Sequence, residues 1–194
     1  MGGEDWQRWI EVLGNEGLLA PGVVSLAYSY VGPPLTDRIY REGTIGKAKE
    51  HLEKTAGIID AALQGSAGRA FVSVNKALVT KASAVIPVVP LYVSLLFKVM
   101  KSKGIHEDCI HQIVRLFSQR LYSGGEVLVD EKGRIRLDDL ELRPDVQAEV
   151  SRLMDEISGD NLRDIADFDG YWKAFLSFHG FGVEGVDYSA DVEP

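Results

Sequence analysis

The sequence has little cysteine, no excess of basic charge and no long unbroken apolar run, and each shortage excludes a class of protein. Cys109 is the single cysteine in 194 residues, so no intrachain disulfide can form and a reducing compartment is expected. The formal net charge of −8 argues against nucleic-acid binding, which usually needs a basic surface to neutralise phosphates. We therefore predict no nucleic-acid partner.

The longest apolar run, ASAVIPVVPLYVSLLF at 82–97, is interrupted by Pro87 and Pro90. A membrane-spanning helix needs about 20 consecutive apolar residues, so this run predicts buried core and no membrane span. The first residues, MGGEDWQRW, are acidic and lack the apolar segment of a secretory signal. Together these features predict a cytoplasmic protein.

Residue patterns in the first part of the chain predict a strand, a helix and a second strand. The segment VVSLAYSY (23–30) is rich in β-branched and aromatic residues and predicts a strand buried on both faces. A helical apolar stripe follows at 45–64, with Thr44 as a plausible N-cap. The segment RAFVSVNKALV (69–79) predicts another buried strand. This order is that of a βαβ unit, with parallel strands and a right-handed crossover.

The rest of the chain is predicted to be mostly helical, at 90–104, 106–124, 143–158 and 169–180. Between the second and third of these helices, the segment 125–142 carries a Lys132-Gly133 turn signal and predicts either a short hairpin or an extended excursion. No linker or repeat divides the chain. The prediction is one α/β domain over residues 1–194.

Tyr40 and Lys49 are a candidate pair of proton donor and cofactor-positioning residue. In reductases of the short-chain-dehydrogenase type, a tyrosine donates a proton or a hydrogen bond to the substrate oxygen. A nearby lysine holds the nicotinamide ribose and lowers the tyrosine pKa through its positive charge. The two residues are nine positions apart. On one straight helix this separation corresponds to a rotation of about 900°, which places the two side chains on opposite faces. Gly43 and Gly46 interrupt the segment, so Tyr40 is predicted before the helix and Lys49 in its early turns. The alternative is that both are packing or surface residues at a helix boundary.

Two other patterns imitate functional motifs. Tyr92 and Lys101 have the same separation but lie in a predicted unbroken helix, which directs them apart. The segment GFGVEG at 180–185 matches GxGxxG literally, yet it follows a predicted helix and precedes a polar tail. A dinucleotide site requires a preceding strand and a following helix, so we predict a turn there.

The cluster HEDCIH contains His106, Cys109 and His111, without a second Cys/His cluster that could complete a zinc site. We predict a helix start with one buried thiol and no metal site. No serine has the setting of a nucleophile elbow.

The segments YSYVGPPLTDRIYREGTIGKAK (28–49) and VSVNKALVTKASAVIPVVPLYVSLLFKVMK (72–101) carry a family resemblance. With the similarity extending over essentially the whole chain, the sequence resembles trans-2-enoyl-CoA reductases and the related V-type enoyl-acyl-carrier-protein reductases. That resemblance implies the C-terminal part of a Rossmann-like, short-chain-dehydrogenase-type fold, with a βαβ unit of parallel strands and several additional helices.

The resemblance also implies roles for individual residues. Tyr40 is the implied catalytic proton donor, and Tyr30 the implied contact of the substrate thioester carbonyl. The implied cofactor-binding residues for NADH are Lys49, Leu78, Val79 and Thr80. The implied reaction reduces the trans-2 double bond of an enoyl-CoA or enoyl-acyl-carrier-protein thioester, in fatty acid biosynthesis.

Members of the family are monomeric and about twice this length, and the resemblance implies that the N-terminal nucleotide-binding half is absent. The alternative hypotheses are therefore an inactive truncated fragment, or a half-enzyme that needs a separate N-terminal half. An acyl-thioester binding module is a third hypothesis. The sequence leaves open the acyl chain length and the choice between CoA and acyl carrier protein. It also leaves open the choice between NADH and NADPH, because cofactor discrimination usually lies after the second strand of the Rossmann half.

Overall fold

The computed structural model describes residues 2–191, and their contacts form two compact units. The first unit contains the chain up to Lys76 together with Glu107–Leu142, and the second contains Ala77–His106 and the chain from Arg143 onward. Each unit thus takes two separate stretches of sequence. The prediction of a single domain stays a prediction.

The first unit holds a parallel sheet and the helices around it. Its strands are β1 (Val24–Ser29), β2 (Arg69–Val74) and β3 (Arg134–Arg136); its helices are α1 (Glu4–Asn15), α2 (Asp37–Tyr40), α3 (Thr44–Leu63) and α5 (Cys109–Arg115), the last continued by a π-helical turn at Leu116–Leu121. The second unit is helical, with α4 (Val89–Ser102), α6 (Pro144–Glu156), α7 (Leu162–Ile165) and α8 (Phe168–Phe178).

The three strands are ordered β1-β2-β3, and both neighbouring pairs are parallel. In the register of the first pair, Val24 lies opposite Arg69 and Ser29 opposite Val74. The helix α3 connects these two strands. The predicted βαβ unit is therefore confirmed, and with it the α/β fold class.

The core of the first unit lies on both faces of β2, because successive side chains of a strand point to opposite sides. On one face, Ala70 packs with Ile59 and Leu63 of α3. On the other face, Phe71 packs with a cluster from the π-helical turn and the β3 region: Leu116, Leu121, Ile135 and Leu137. The central strand is thus buried on both sides, as predicted.

Two details differ from the sequence predictions, and one open alternative is decided. β1 is only partly buried and Tyr28 is 53% exposed, because β1 lies at an edge of the described sheet. Helix α3 begins at Thr44 with Gly43 as its N-cap and no side-chain cap. Of the two alternatives for 125–142, the excursion is found: the chain turns at Gly133, with φ +74°, and β3 then joins β2 in parallel.

In the second unit, α4 is the most buried helix, and Leu95, Leu96 and Met100 are fully enclosed. The part of the apolar run from Val89 onward forms core, with Pro90 in the first turn of the helix. The prediction of buried core is wrong for the part before it, where Val85 is 80% and Val88 56% exposed. No helix in the described part of the chain is long and apolar enough to cross a membrane. Helix α6 begins at Pro144, and proline suits the first turn of a helix.

Candidate functional site

The candidate site lies at the carboxyl edge of the parallel sheet in the first unit. In open parallel sheets, ligands bind outside the carboxyl ends of the strands. Tyr30 follows directly on Ser29, the last residue of β1. The turn that contains Glu141 comes soon after Arg136, the last residue of β3. Because all three strands are parallel, these segments leave the sheet at the same edge.

A tight corner between α2 and α3 brings Tyr40 towards Lys49. Tyr40 is the last residue of α2, and Lys49 lies in the second turn of α3. At Gly46 an added Cβ would lie only 2.0 Å from the carbonyl oxygen of Arg41. Only glycine permits this approach of the two backbone segments. The predicted placement, with Tyr40 before the long helix and Lys49 near its start, is confirmed.

Lys49 points at Tyr40 and at the end of β1. Its Nζ lies 5.7 Å from the centroid of the Tyr40 ring and donates a hydrogen bond to Ser29 Oγ at 3.2 Å. Burial lowers the pKa of the Lys49 ammonium group, and the negative charge of Glu53 opposes that change. The structure therefore brings the predicted pair together at the sheet edge.

Tyr40 is 7% exposed, and its ring meets the ring of Tyr30 edge to face with the centroids 4.8 Å apart. Burial raises the pKa of Tyr40 above its ordinary value, and the negative charge of Glu141 raises it further. The lowering of the tyrosine pKa by a lysine, described above for reductases of this type, is not the net direction here, because burial and the charge of Glu141 both raise the pKa of Tyr40. At neutral pH Tyr40 keeps its proton, which is the form that a proton donor needs.

The hydroxyl of Tyr30 donates a hydrogen bond of 2.8 Å to Oε1 of Glu141. Glu141 is fully buried. Gly32 leaves room for this arrangement: its φ is +78°, and an added Cβ would lie 2.2 Å from Thr36 Oγ1 and 3.0 Å from the Tyr30 hydroxyl oxygen. The hydrogen bond to the Glu141 carboxylate and the lack of a side chain at Gly32 together define where the Tyr30 ring lies.

A small cavity of about 100 Å³ opens beside this pair, lined by residues that include Tyr40, Lys49, Glu53, Lys132 and Arg134. Arg134 binds Glu53 at 2.9 Å and Asp130 at 2.7 Å. This ion-pair network fixes Glu53 one helical turn beyond Lys49. The charge of Glu53 therefore stays close to the lysine.

Leu78, Val79 and Thr80 belong to the second unit, which begins at Ala77. Leu78 and Val79 are partly buried and Thr80 is exposed. Thr80 forms a local turn with Ser83, whose backbone N–H donates to Thr80 Oγ1 at 3.0 Å. Their predicted role in cofactor binding stays a prediction.

The other candidate patterns are structural. Tyr92 and Lys101 lie on one continuous helix, α4, where Tyr92 is buried and Lys101 pairs with Asp167. The three glycines of GFGVEG have positive φ values and form exposed turns after α8, as predicted.

The segment around Cys109 starts a helix, as predicted. Asp108 is the N-cap of α5 and accepts a hydrogen bond from the backbone of His111. The prediction of a buried thiol is wrong, because Cys109 is exposed. Across residues 2–191, no group of three or more His, Cys, Asp or Glu side chains could hold a metal ion.

Sequence reasoning missed Glu141, Glu53 and Arg134 as members of this site. Glu141 is 111 residues from Tyr30, and no spacing connects them. The signal that could have found Glu141 is topological. A third strand parallel to β2 would have placed the residues after it at the same edge as Tyr30.

A tyrosine and a lysine thus lie together at the carboxyl edge of a parallel sheet in an α/β fold, and comparison with known proteins identifies the family. Residues 1–122 match the model described as "Trans-2-enoyl-CoA reductase catalytic region". The chain therefore belongs to the trans-2-enoyl-CoA reductase family, and the predicted resemblance is confirmed.

Individual relatives agree with this assignment. The chain is 60% identical over 192 residues to an enoyl-[acyl-carrier-protein] reductase [NADH] of Flavobacterium johnsoniae, covering 99% of the chain and 48% of the relative. It is 58% identical over 194 residues to a trans-2-enoyl-CoA reductase [NADH] of Treponema denticola, covering 100% and 48%. The solved trans-2-enoyl-CoA reductase of Clostridium acetobutylicum in complex with NAD matches with a TM-score of 0.96 and 54% identity, over 99% of this chain and 50% of that one.

The chain spans about half the length of the curated relatives that it matches. Residues 129–192 match a second model, described as "Enoyl reductase FAD binding domain". The described residues of that segment do not fit a flavin dinucleotide. Their only glycine-rich run, GFGVEG, forms exposed turns after a helix and not the strand–turn–helix that would hold a pyrophosphate.

Proposed function

We propose that this chain supplies the catalytic residues for NADH-dependent reduction of the trans-2 double bond of an enoyl thioester to the saturated acyl thioester. The observation that carries the proposal is the convergence of Tyr40 and Lys49 at the carboxyl edge of the parallel sheet. Both residues lie within the stretch that matches the catalytic region of the family. The names of the relatives specify NADH and either enoyl-CoA or enoyl-acyl-carrier-protein.

Lys49 fits the ribose side of a nicotinamide nucleotide. It is a partly buried cation held beside Ser29, and it lines both the small cavity and a second hollow of about 210 Å³ next to β1. Leu78, Val79 and Thr80, in the loop that follows β2, are proposed to contact the nicotinamide and phosphate side. When bound, NADH supplies the hydride that the β-carbon of the substrate receives.

Tyr40 acts on the oxygen of the thioester carbonyl. As hydride arrives, negative charge develops on that oxygen, and a protonated phenol can donate a hydrogen bond or its proton there. The raised pKa of Tyr40, which burial and Glu141 produce, keeps the phenol protonated at neutral pH. Tyr30, in ring contact with Tyr40, is proposed to lie against the same thioester group.

The experiment measures NADH oxidation with crotonyl-CoA and with the acyl-carrier-protein thioester. It compares the chain alone with the chain mixed with the N-terminal half of the Treponema denticola relative. We expect turnover that Tyr40→Phe abolishes and Tyr122→Phe leaves unchanged, because Tyr122 is an exposed tyrosine outside the site. If the chain neither binds nor oxidises NADH, both alone and in the mixture, the proposal is refuted.

A half-enzyme that works only with a separate nucleotide-binding half is the second candidate. It is favoured because the described residues contain no glycine-rich strand–turn–helix for a pyrophosphate. Turnover in the mixture but not with the chain alone would select it. We further propose a cytoplasmic location, where the acyl thioesters are found, and a monomeric state like that implied by the family resemblance.

A further inference from the structure

We propose that Glu141 is a positioning residue of this site, which holds Tyr30 through its hydroxyl and, through the ring of Tyr30, fixes Tyr40. The inference rests on the proposed function for its catalytic consequence only. The contacts themselves are properties of the fold.

The first support is where the two residues lie. Tyr30 immediately follows β1, and Glu141 lies in the turn after β3. Because β2 lies between these strands, the hydrogen bond from Tyr30 to Glu141 passes across the carboxyl end of the central strand. It therefore ties together the two edge strands of the described sheet at the point where ligands bind in such folds.

The second support is burial. Glu141 has no exposed surface, and a carboxyl group is rarely enclosed in this way unless it is bound by partners. The contact of 2.8 Å has the length of a good hydrogen bond from a hydroxyl to a carboxylate. A buried, charge-assisted bond of this kind restricts both the position and the rotation of the Tyr30 ring.

The third support is the chain of contacts from Glu141 to the proton donor. The ring of Tyr30 meets the ring of Tyr40 edge to face at 4.8 Å, and Lys49 lies beyond Tyr40. The effect of Glu141 on Tyr40 is also electrostatic, since its negative charge contributes to the raised pKa of the Tyr40 phenol. Glu141 thus acts on Tyr40 by contact through Tyr30 and by charge.

A division of labour between the two tyrosines follows. Tyr30 has one hydroxyl hydrogen, and in this structure it is given to Glu141. While that bond lasts, Tyr30 cannot donate the same hydrogen to a thioester oxygen. The transfer of a proton or a hydrogen bond to substrate therefore falls to Tyr40, and Tyr30 serves to hold the Tyr40 ring in place.

The test uses two substitutions and a matched control in the same unit. Glu141→Gln keeps the size and an acceptor oxygen but removes the charge, whereas Glu141→Leu also removes the acceptor. Glu131→Gln removes an exposed carboxylate and serves as the control. Titration of Tyr40 is followed by NMR of protein labelled with carbon-13 at the tyrosine ring, and its signal is assigned with Tyr40→Phe.

We expect the pKa of Tyr40 to fall in both Glu141 variants and to stay unchanged in Glu131→Gln. In the mixture that shows reductase turnover, we expect kcat to fall about tenfold to a hundredfold in Glu141→Leu with KM little changed, as for a misplaced catalytic group. A smaller fall is expected for Glu141→Gln.

An unchanged pKa of Tyr40 in folded Glu141→Gln would overturn the proposal, and so would full kcat in folded Glu141→Leu. The NMR titration needs no turnover, so it tests the effect of Glu141 on Tyr40 even if the wild-type chain proves inactive. Loss of the proposed function and loss of this inference are thereby distinguished.

Discussion

Two glycines of the helix α3 give opposite expectations for the same substitution. Gly46 lies in its first turn and Gly57 in its third to fourth turn. An added Cβ at Gly46 would lie 2.0 Å from the carbonyl oxygen of Arg41 and 2.5 Å from its carbonyl carbon. At Gly57 nothing lies within 4 Å. Gly46→Ala and Gly57→Ala therefore form a matched pair in one helix.

The magnitudes follow from two opposing effects. Replacing glycine by alanine inside a helix stabilises by about 0.5–1 kcal/mol, because alanine loses less backbone entropy. Overpacking costs about 1–3 kcal/mol, and the upper end applies at Gly46 because the obstructing atoms belong to the backbone. We expect Gly46→Ala to lower the free energy of unfolding by about 2–2.5 kcal/mol net. Gly57→Ala is expected to raise it by about 0.5–1 kcal/mol.

Thermal and urea unfolding, followed by circular dichroism, measure both values. For a protein of this size, 1 kcal/mol corresponds to about 2–4 °C in Tm. We expect Tm to fall by about 4–10 °C in Gly46→Ala and to rise by about 1–4 °C in Gly57→Ala. A rise in Tm for Gly46→Ala would show that the corner between α2 and α3 does not depend on this close approach.

The same substitution tests the site, because relief of the clash moves Arg41, the neighbour of Tyr40. The separation must grow from 2.0 Å to about 3 Å or more, and a misplacement of about 1 Å can reduce a rate a hundredfold. Turnover of NADH by Gly46→Ala should therefore fall far more than turnover by Gly57→Ala. Equal activities would contradict the placement of Tyr40 by this corner.

Two further substitutions test the electrostatics. Lys49→Met should abolish turnover and raise Tm. Burial lowers the pKa of Lys49, so at any pH below that pKa the charged lysine lowers the stability of the fold. A lower Tm in Lys49→Met would count against this account. Burial alone would raise the pKa of Asp130, but hydrogen bonds from Arg134 outweigh burial and lower that pKa to about 2. Its stabilisation is therefore complete above its ordinary pKa of 3.8 and is lost as the pH falls through about 2. Urea unfolding should show Asp130→Asn less stable than wild type by about 2 kcal/mol at pH 7. The gap should narrow below about pH 4, and a gap that is constant with pH would refute the assignment.

Much of the fold was predictable because local patterns carry it. The β-branched run before α3, the helical stripe within it and the second run after it predicted parallel pairing correctly. The interruption by Gly43 and Gly46 placed Tyr40 and Lys49 on opposite sides of a helix start, and the structure agrees. What failed was burial and partnership: β1 is half-exposed and Cys109 lies at the surface.

The sequence by itself determined the βαβ unit, the candidate pair and the family, because runs of neighbouring residues carry the patterns for all three. Only the tertiary structure decided that β3 joins the sheet in parallel and carries Glu141 to the hydroxyl of Tyr30. It also decided the direction of the Tyr40 pKa, since burial and the charge of Glu141, from a distant turn, both raise it. Contacts between residues far apart in sequence arise from sheet order and packing, and the spacing of residues in the sequence predicts neither.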